Sequence, residues 1–243
     1  MEKYSTLFIS IFVLLIIAVL FASRRQRRST KLWLRDYVSR VGGKLEIGYD
    51  AEGEILNFSA NRGGIFQTRP GTGSTRFPTK GAQDGFRIKD FPISKGAELF
   101  NRQTIYSMQF SQQFATSNSD RWSKIVAKVP RVRPGNFQAY IMSFIIDMPP
   151  VPEVKSYKGA YATDEDIFKK LDMAVNFNQL CSKFNAETTG WGQPFPDIII
   201  GQDSVEVQIN QNTIYMKDYR EKAIQLLFET ALLVRDELEQ IDK

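Results

Sequence analysis

The stretch Arg69-Pro70-Gly71-Thr72-Gly73-Ser74-Thr75-Arg76 carries the residue types that anion chemistry asks for. A glycine-rich turn can aim successive backbone N–H groups at a phosphate, and two arginines flank this one. Arg69, Gly71, Gly73 and Arg76 are the candidate anion-loop residues. The nucleotide-binding pattern GxxxxGK[ST] is absent: no Lys-Ser or Lys-Thr pair follows at that spacing, and Phe77-Pro78-Thr79-Lys80-Gly81 is a poor helix start. A surface loop is the simpler expectation.

Other clusters point to chemistry less strongly. Asp164, Glu165 and Asp166 put three carboxylates together, but acidic residues are favoured in the first turn of any helix, so no metal is expected there. Lys124, Lys128, Arg131 and Arg133, with Trp122 and Phe137 nearby, resemble a single-strand nucleic-acid surface in composition. A solvated strand face accounts for them more simply, and no nucleic-acid partner is expected. The chain has no histidine and one cysteine. This removes the commonest general base and metal ligand, and Cys/His zinc sites with them. Serine catalysis lacks GxSxG and its histidine. No cofactor and no catalytic residue emerges. Cys181 falls on an apolar helical face, as a buried inert thiol does.

The elements that would position such groups begin with a membrane anchor. Ser5 to Ser23 is an uncharged run of nineteen residues. As a helix it nearly covers a hydrocarbon core of about 30 Å. Phe21-Ala22-Ser23 lacks the small-x-small signature of signal cleavage. Arg24, Arg25, Arg27 and Arg28 follow at once, with Lys31 and Arg35 beyond. The Lys/Arg excess predicts that the short N-terminus faces outward and residues 24–243 lie in the cytoplasm. Those four arginines and Trp33 are the residues expected at the membrane surface, where basic side chains also meet anionic headgroups. Trp33 and Tyr37 suit the interface, yet Leu34, Tyr37, Val38 and Val41 form one apolar face of a helix from Ser29 to Val41. Docking on the domain is the better expectation for that helix, with Gly42-Gly43 as its stop.

Short strands with turn punctuation come next. Lys44–Tyr49 and Glu54–Ala60 read as a hairpin across Asp50-Ala51-Glu52-Gly53. Trp122–Val129 alternates well, and Phe137–Met148 reads as a long buried strand. Three prolines within 149–152 break the pattern, and 148–162 reads as a connector. Thr163 with Asp166 predicts an N-cap for a helix Asp164–Phe184. Asp197–Ile200 and Val205–Ile209 form a hairpin across Gly201-Gln202-Asp203-Ser204. A last helix opens near Asp218 and Glu221 and carries a wide apolar stripe.

Charge divides the chain. Residues 29–140 hold 17 Lys/Arg and 9 Asp/Glu, a net of +8, while residues 141–243 hold 10 and 17, a net of −7. The halves are expected to pack together and partly neutralise one another. The predicted organisation is an anchor (1–28), a basic β-rich lobe (29–147), a connector (148–162) and an acidic helix-hairpin-helix lobe (163–243), the two lobes forming one domain. The fold class is α+β: one transmembrane helix, then a cytoplasmic antiparallel or mixed sheet covered by two longer helices. The function expected is a non-enzymatic scaffold or accessory subunit that holds a protein partner at the inner or plasma membrane. A binding module for anionic lipid or a small amphipathic ligand is the second reading, and a carboxylate-based hydrolase or transferase the third.

Overall fold

The computed structural model describes residues 2–48, 52–60, 66–67, 75–78, 85–110, 118–142, 160–187 and 196–241. Helix α1, Glu2–Val41, is 40 residues long, about 60 Å at ~1.5 Å per residue. The apolar run and the helix predicted from Ser29 are therefore one rod. The reason is local: no glycine or proline occurs from Glu2 to Val41, so the helical ladder has nothing to interrupt it. Gly42 and Gly43, both at φ +101°, end it, and Gly42 N–H donates to the Val38 carbonyl at 2.8 Å. Ile11 to Ala22 is exposed throughout. The side chains of residues 2–10 lie outside the described set. Among the described residues no helix is long and apolar enough to cross a membrane.

The strands are β1 Lys44–Ile47, β2 Glu52–Ala60, β3 Phe66–Gln67, β4 Thr75–Pro78, β5 Phe86–Lys89, β6 Glu98–Phe110, β7 Asn118–Pro130, β8 Ala139–Met142, β9 Ala160–Ala162, β10 Asp197–Ile200 and β11 Ser204–Asn210. All eleven belong to one sheet, whose main path is β1-β5-β6-β7-β11-β10-β8-β9. Every ladder on that path is antiparallel. β2 lies off it, parallel to the second half of β6 and antiparallel to β3 and β4. The architecture is thus mixed α+β. The predicted β1–β2 hairpin does not form. β1 pairs with β5 instead, Leu45 opposite Ile88, because that register seats Leu45 against the core that holds Ile88. Turn chemistry alone does not choose between near and distant partners. The β10–β11 hairpin forms as expected. Of the long strand predicted over 137–148, the described part is Ala139–Met142, and 143–159 lies outside the described residues.

The remaining helices among the described residues are α2 Glu165–Val175, α3 Phe177–Glu187, α4 Asn212–Tyr215 and α5 Arg220–Ile241. The single helix predicted over 164–184 is two. Asn176, at φ +52°, closes α2 in the left-handed region, and its Oδ1 accepts from Gln179 N–H at 3.2 Å to start α3. Asparagine tolerates that conformation better than most residues, which makes the corner cheap. The cap of α2 is Asp164, whose Oδ1 accepts from Asp166 and Ile167 N–H at 2.9 Å each. Thr163 bonds Gln138 across the loop instead.

The core lies on one face of the sheet. Leu99, Ile125, Ala127, Val129, Val205, Val207, Ile209, Ile198 and Ile141 alternate along five strands and meet Ile224, Leu227, Ala231, Val234 and Leu238 of α5. Phe168, Leu171 and Phe184 of α2 and α3, and Trp33, Leu34 and Tyr37 of α1, belong to the same cluster. α5 is the central element because its stripe is wide enough to face the sheet and the other helices together.

Candidate functional site

Three constellations of charged side chains stand out among the described residues. The first is on α1. Arg24, Arg25 and Arg28 are exposed immediately after the exposed apolar segment. The side chain of Arg27 lies outside the described set. Trp33 does not join them. It is 7 % exposed, stacked on Tyr37 with ring centroids 5.0 Å apart, and its Nε1 donates to Glu221. It is a docking residue rather than an interfacial one, because the face it shares with Leu34 and Tyr37 is the face that meets the core.

The second constellation is that docking joint. Glu221, in the first turn of α5, accepts from Trp33 Nε1 at 3.3 Å and from Arg40 Nη2 at 2.7 Å, both on Oε1. Arg40 also donates to Asp36 at 3.2 Å. The hydrogen bond from Arg40 is the main reason the Glu221 carboxyl lies below its usual range, against the opposing effect of burial. Arg40 is held above its own usual value, chiefly by the same bond. Burial, with the Glu221 charge adding to it, pushes the Tyr37 phenol up to about 12. Arg220 lies over the Trp33 ring, Cζ 4.0 Å from its centroid, and burial lowers its pKa from the ordinary value.

The third lies on the sheet face opposite the core. The side chains alternate, so residues between the core positions point away from α5. Arg102 Nη1 and Nη2 engage Glu206 Oε2 and Oε1 at 2.6 and 3.3 Å. Lys128 Nζ is 4.0 Å from the same carboxylate. Lys124 Nζ is 3.2 Å from Asp197 Oδ2, which also accepts from Gln208 Nε2 at 3.4 Å. Arg102, Lys124, Asp197, Glu206 and Gln208 are all buried. Beside them Arg102 sits over the Phe100 ring at 5.0 Å, and Arg87 pairs with Glu98. A bidentate guanidinium–carboxylate pair at this depth is strong only because both partners are present.

These pairs correct the reading of Lys124, Lys128 and Arg131 as a solvated or nucleic-acid-facing strip. Strand alternation reveals an amphipathic strand but not the neighbour that long-range pairing supplies. Here β11 and β10 bring Glu206 and Asp197. Arg131 is buried, and its Nη1 donates to the carbonyls of Phe137 and Gly201 at 3.2 and 3.4 Å. Only Arg133 of the four is exposed. The halves do neutralise one another locally, since Arg40–Glu221, Arg102–Glu206, Lys124–Asp197 and Lys128–Glu206 all join the basic half to the acidic one.

The anion-loop candidates fare differently. Arg69, Gly71 and Gly73 lie outside the described residues. Arg76 is in β4, opposite Glu54 of β2. The backbone cradle that the structure does describe is elsewhere: Glu239 Oε1 accepts from Val132 and Arg133 N–H at 3.1 and 3.3 Å. It holds the end of α5 and had no motif to announce it. Asp164, with Asp166 N–H bonded to it, serves as a cap, and no group of His, Cys, Asp and Glu that would hold a metal occurs among the described residues. The side chain of Cys181, on α3, is outside the described set.

Scans against protein-family models, curated proteins and solved structures find no match to this chain. Its function is therefore read from the geometry alone.

Proposed function

We propose that this chain is a single-pass membrane-anchored, non-enzymatic accessory subunit, its α+β domain held at the cytoplasmic surface by α1. One observation carries the reading. Along one unbroken helix, twelve consecutive exposed residues, Ile11 to Ala22, ten of them large and apolar, lead through exposed arginines into a buried docking face at Trp33, Leu34 and Tyr37. An exposed apolar surface of that size calls for lipid or protein cover. The uncharged run in the sequence, Ser5 to Ser23, has the length of a bilayer core. The non-enzymatic part draws on five described carboxylates that hold structural partners: Asp164 caps, Glu206 and Asp197 pair with cations, and Glu221 and Glu239 fix helices.

Alkaline carbonate extraction of membranes tests the anchor. The chain should stay in the pellet, and a tag on its C-terminus should resist protease added to intact cells. Release by carbonate, or digestion of the tag in sealed cells, removes the reading. Copurification from gently solubilised membranes at native expression tests the accessory role.

A second reading, an anionic-lipid module, draws on the exposure of Arg24, Arg25 and Arg28. Each basic residue near an anionic surface contributes about 1 kcal/mol. Flotation with neutral and anionic vesicles separates the two readings. The lipid module requires binding that rises with lipid charge and falls with salt.

A further inference from the structure

Past the apolar segment, the cations of α1 continue along one side of the rod. At about 100° per residue, Arg24, Arg28, Lys31 and Arg35 fall within about 60° of arc and extend about 16 Å along the axis. The docking residues Trp33, Leu34 and Tyr37 occupy the opposite side. Arg24, Arg28 and Arg35 are exposed, and Lys31 is partly so. Among the described residues no hydrogen bond or ion pair holds any of the three arginines. The carboxylate of Asp36 lies off this line, and Arg40 holds it at 3.2 Å. Leu32 stands beside Arg28 and Arg35 and is 65 % exposed. A face kept only for water mixes acids with bases. This one carries bases alone with an exposed leucine among them, the composition of a surface that meets lipid headgroups.

The lean of α1 decides how much of that stripe reaches lipid. The run from Ser5 to Ser23 is about 28 Å long and matches a core of about 30 Å best when the rod stands near the bilayer normal. Headgroups occupy roughly the next 5–8 Å. Arg24 and Arg28 lie within about 8 Å of Ser23 and meet phosphates at any lean, whereas Arg35 lies about 18 Å beyond it. Helical side chains point back toward the N-terminus, here toward the bilayer, so an upright rod holds the Arg35 guanidinium at about 14 Å. A lean of about 30° toward the stripe lowers it by about 5 Å more, to the outer headgroups, and a lean the other way lifts it. The uncharged run then covers about 25 Å, a mismatch that a bilayer bears at modest cost.

We propose that anionic phospholipid headgroups bind the stripe of Arg24, Arg28, Lys31 and Arg35 and so set the tilt of α1. On a neutral bilayer hydrophobic match keeps the rod near the normal. On an anionic bilayer the stripe comes down onto the headgroups. The domain, docked on the opposite side of the rod through Trp33, Leu34 and Tyr37, turns with it. The proposal rests on the membrane-anchored reading and adds to it a lipid class, a face and a direction.

The test uses the full chain, isotope-labelled at its backbone nitrogens, in aligned bilayers, where the resonances of α1 report its tilt and the face that leans down. Replacing part of the phosphatidylcholine with phosphatidylglycerol should raise the tilt by at least about 10°, with the Arg24–Arg35 side downward, and added salt should reverse the change. Arg35→Gln, at an exposed side chain, should remove at least about half of the response, because only a leaning rod brings that residue to lipid. Arg25→Gln, off the stripe, should leave the response intact. An inserted α1 with the same tilt in both lipids overturns the proposal and leaves the anchor standing. A lean toward any other face, or a response that ignores Arg35→Gln, overturns it too. A chain that does not insert overturns the anchored reading and this proposal together.

Discussion

Trp33 on α1 and Glu221 on α5 are joined by one hydrogen bond, indole Nε1 to carboxylate Oε1 at 3.3 Å, across 188 residues of sequence. Arg40, two turns further along α1, reaches the same oxygen at 2.7 Å. A single carboxylate therefore fixes both the position of the rod against the domain and its rotation. The aromatic series behind it, Trp33 on Tyr37, Tyr37 on Phe91 and Phe91 on Phe228, carries the contact into the core.

Glu221 gives this joint a defined acid sensitivity. Its folded pKa is depressed below 4.5, chiefly by the hydrogen bond from Arg40, so the stability it adds is present above 4.5 and lost as pH falls through the folded value. The pair is half exposed, and solvent screens it, so the effect is small. Thermal melts of wild type and Glu221→Gln should differ by a constant few degrees at neutral pH and converge below pH 4.5. A difference that widens on acidification contradicts the assignment. Tyr37 acts at the other extreme. Its pKa is raised to about 12 by burial, so its contribution is intact below 10 and lost as pH climbs toward 12.

The ionic face of the sheet responds more sharply. Glu206→Gln leaves Arg102 and Lys128, one fully and one largely withdrawn from water, facing a neutral amide. Removing one partner of a buried pair costs about 3–5 kcal/mol. In a domain of this size each kcal/mol corresponds to roughly 2–4 °C in Tm. Glu206→Gln should thus melt at least about 6 °C below wild type. The double variant Arg102→Met with Glu206→Leu should recover part of the loss, because it buries no lone charge. A Glu206→Gln melting point within a degree of wild type shows that the pair carries no such weight.

The sequence disclosed what local periodicity encodes and little that depends on distant pairing. The docking face of α1, the β10–β11 hairpin and the stripe of α5 all stand in the apolar spacing of Leu34, Tyr37 and Val41, of Ile198 and Ile200, and of Ile224, Leu227, Ala231 and Val234. The β1–β5 ladder was hidden because Leu45 and Ile88 are 43 positions apart and a convincing turn lay nearer. The break at Asn176 was hidden because Leu171, Val175 and Phe184 keep an apolar rhythm through the corner. The ionic face was legible only as separate charges. Lys124 and Asp197 look solvated until β7, β11 and β10 align. The Glu239 cradle uses backbone N–H groups, which no side-chain pattern reports.

The glycine pair that stops α1 is not interchangeable with the turn that follows β1. Gly43 has φ +101°, and a Cβ there would lie 2.9 Å from Ile88 Cγ2 and 3.0 Å from the Lys89 carbonyl oxygen. Gly48 has φ +83°, but a Cβ there meets nothing within 4 Å. Alanine at Gly48 pays only for left-handed backbone, about 1 kcal/mol. Alanine at Gly43 adds a clash with the β1–β5 edge and should cost at least about 2 kcal/mol. Urea titrations of the two variants give the order directly, and equal losses would show that the space at Gly43 relaxes freely.

Continuity of α1 is the property on which the rod geometry depends, and a proline tests it. Gln26 lies between the exposed apolar segment and Thr30, the first buried residue of the docking half, whose Oγ1 donates to the Gln26 carbonyl at 3.0 Å. Gln26→Pro removes the bond from its own N–H to Ala22 and sets its ring against that carbonyl, which kinks a helix at a cost of about 3 kcal/mol. The docked residues Trp33 to Val41 lie beyond the break and keep their contacts, so the domain should melt as wild type does. Spin labels at Arg25→Cys and Ser39→Cys, in a Cys181→Ser background, are separated by about 21 Å along an unbroken helix. Wild type should give one narrow distance near that value. Gln26→Pro should broaden and shorten it, because the label at 25 sits on the far side of the kink. A broad distribution already present in wild type would mean that α1 hinges by itself and is not one rigid rod.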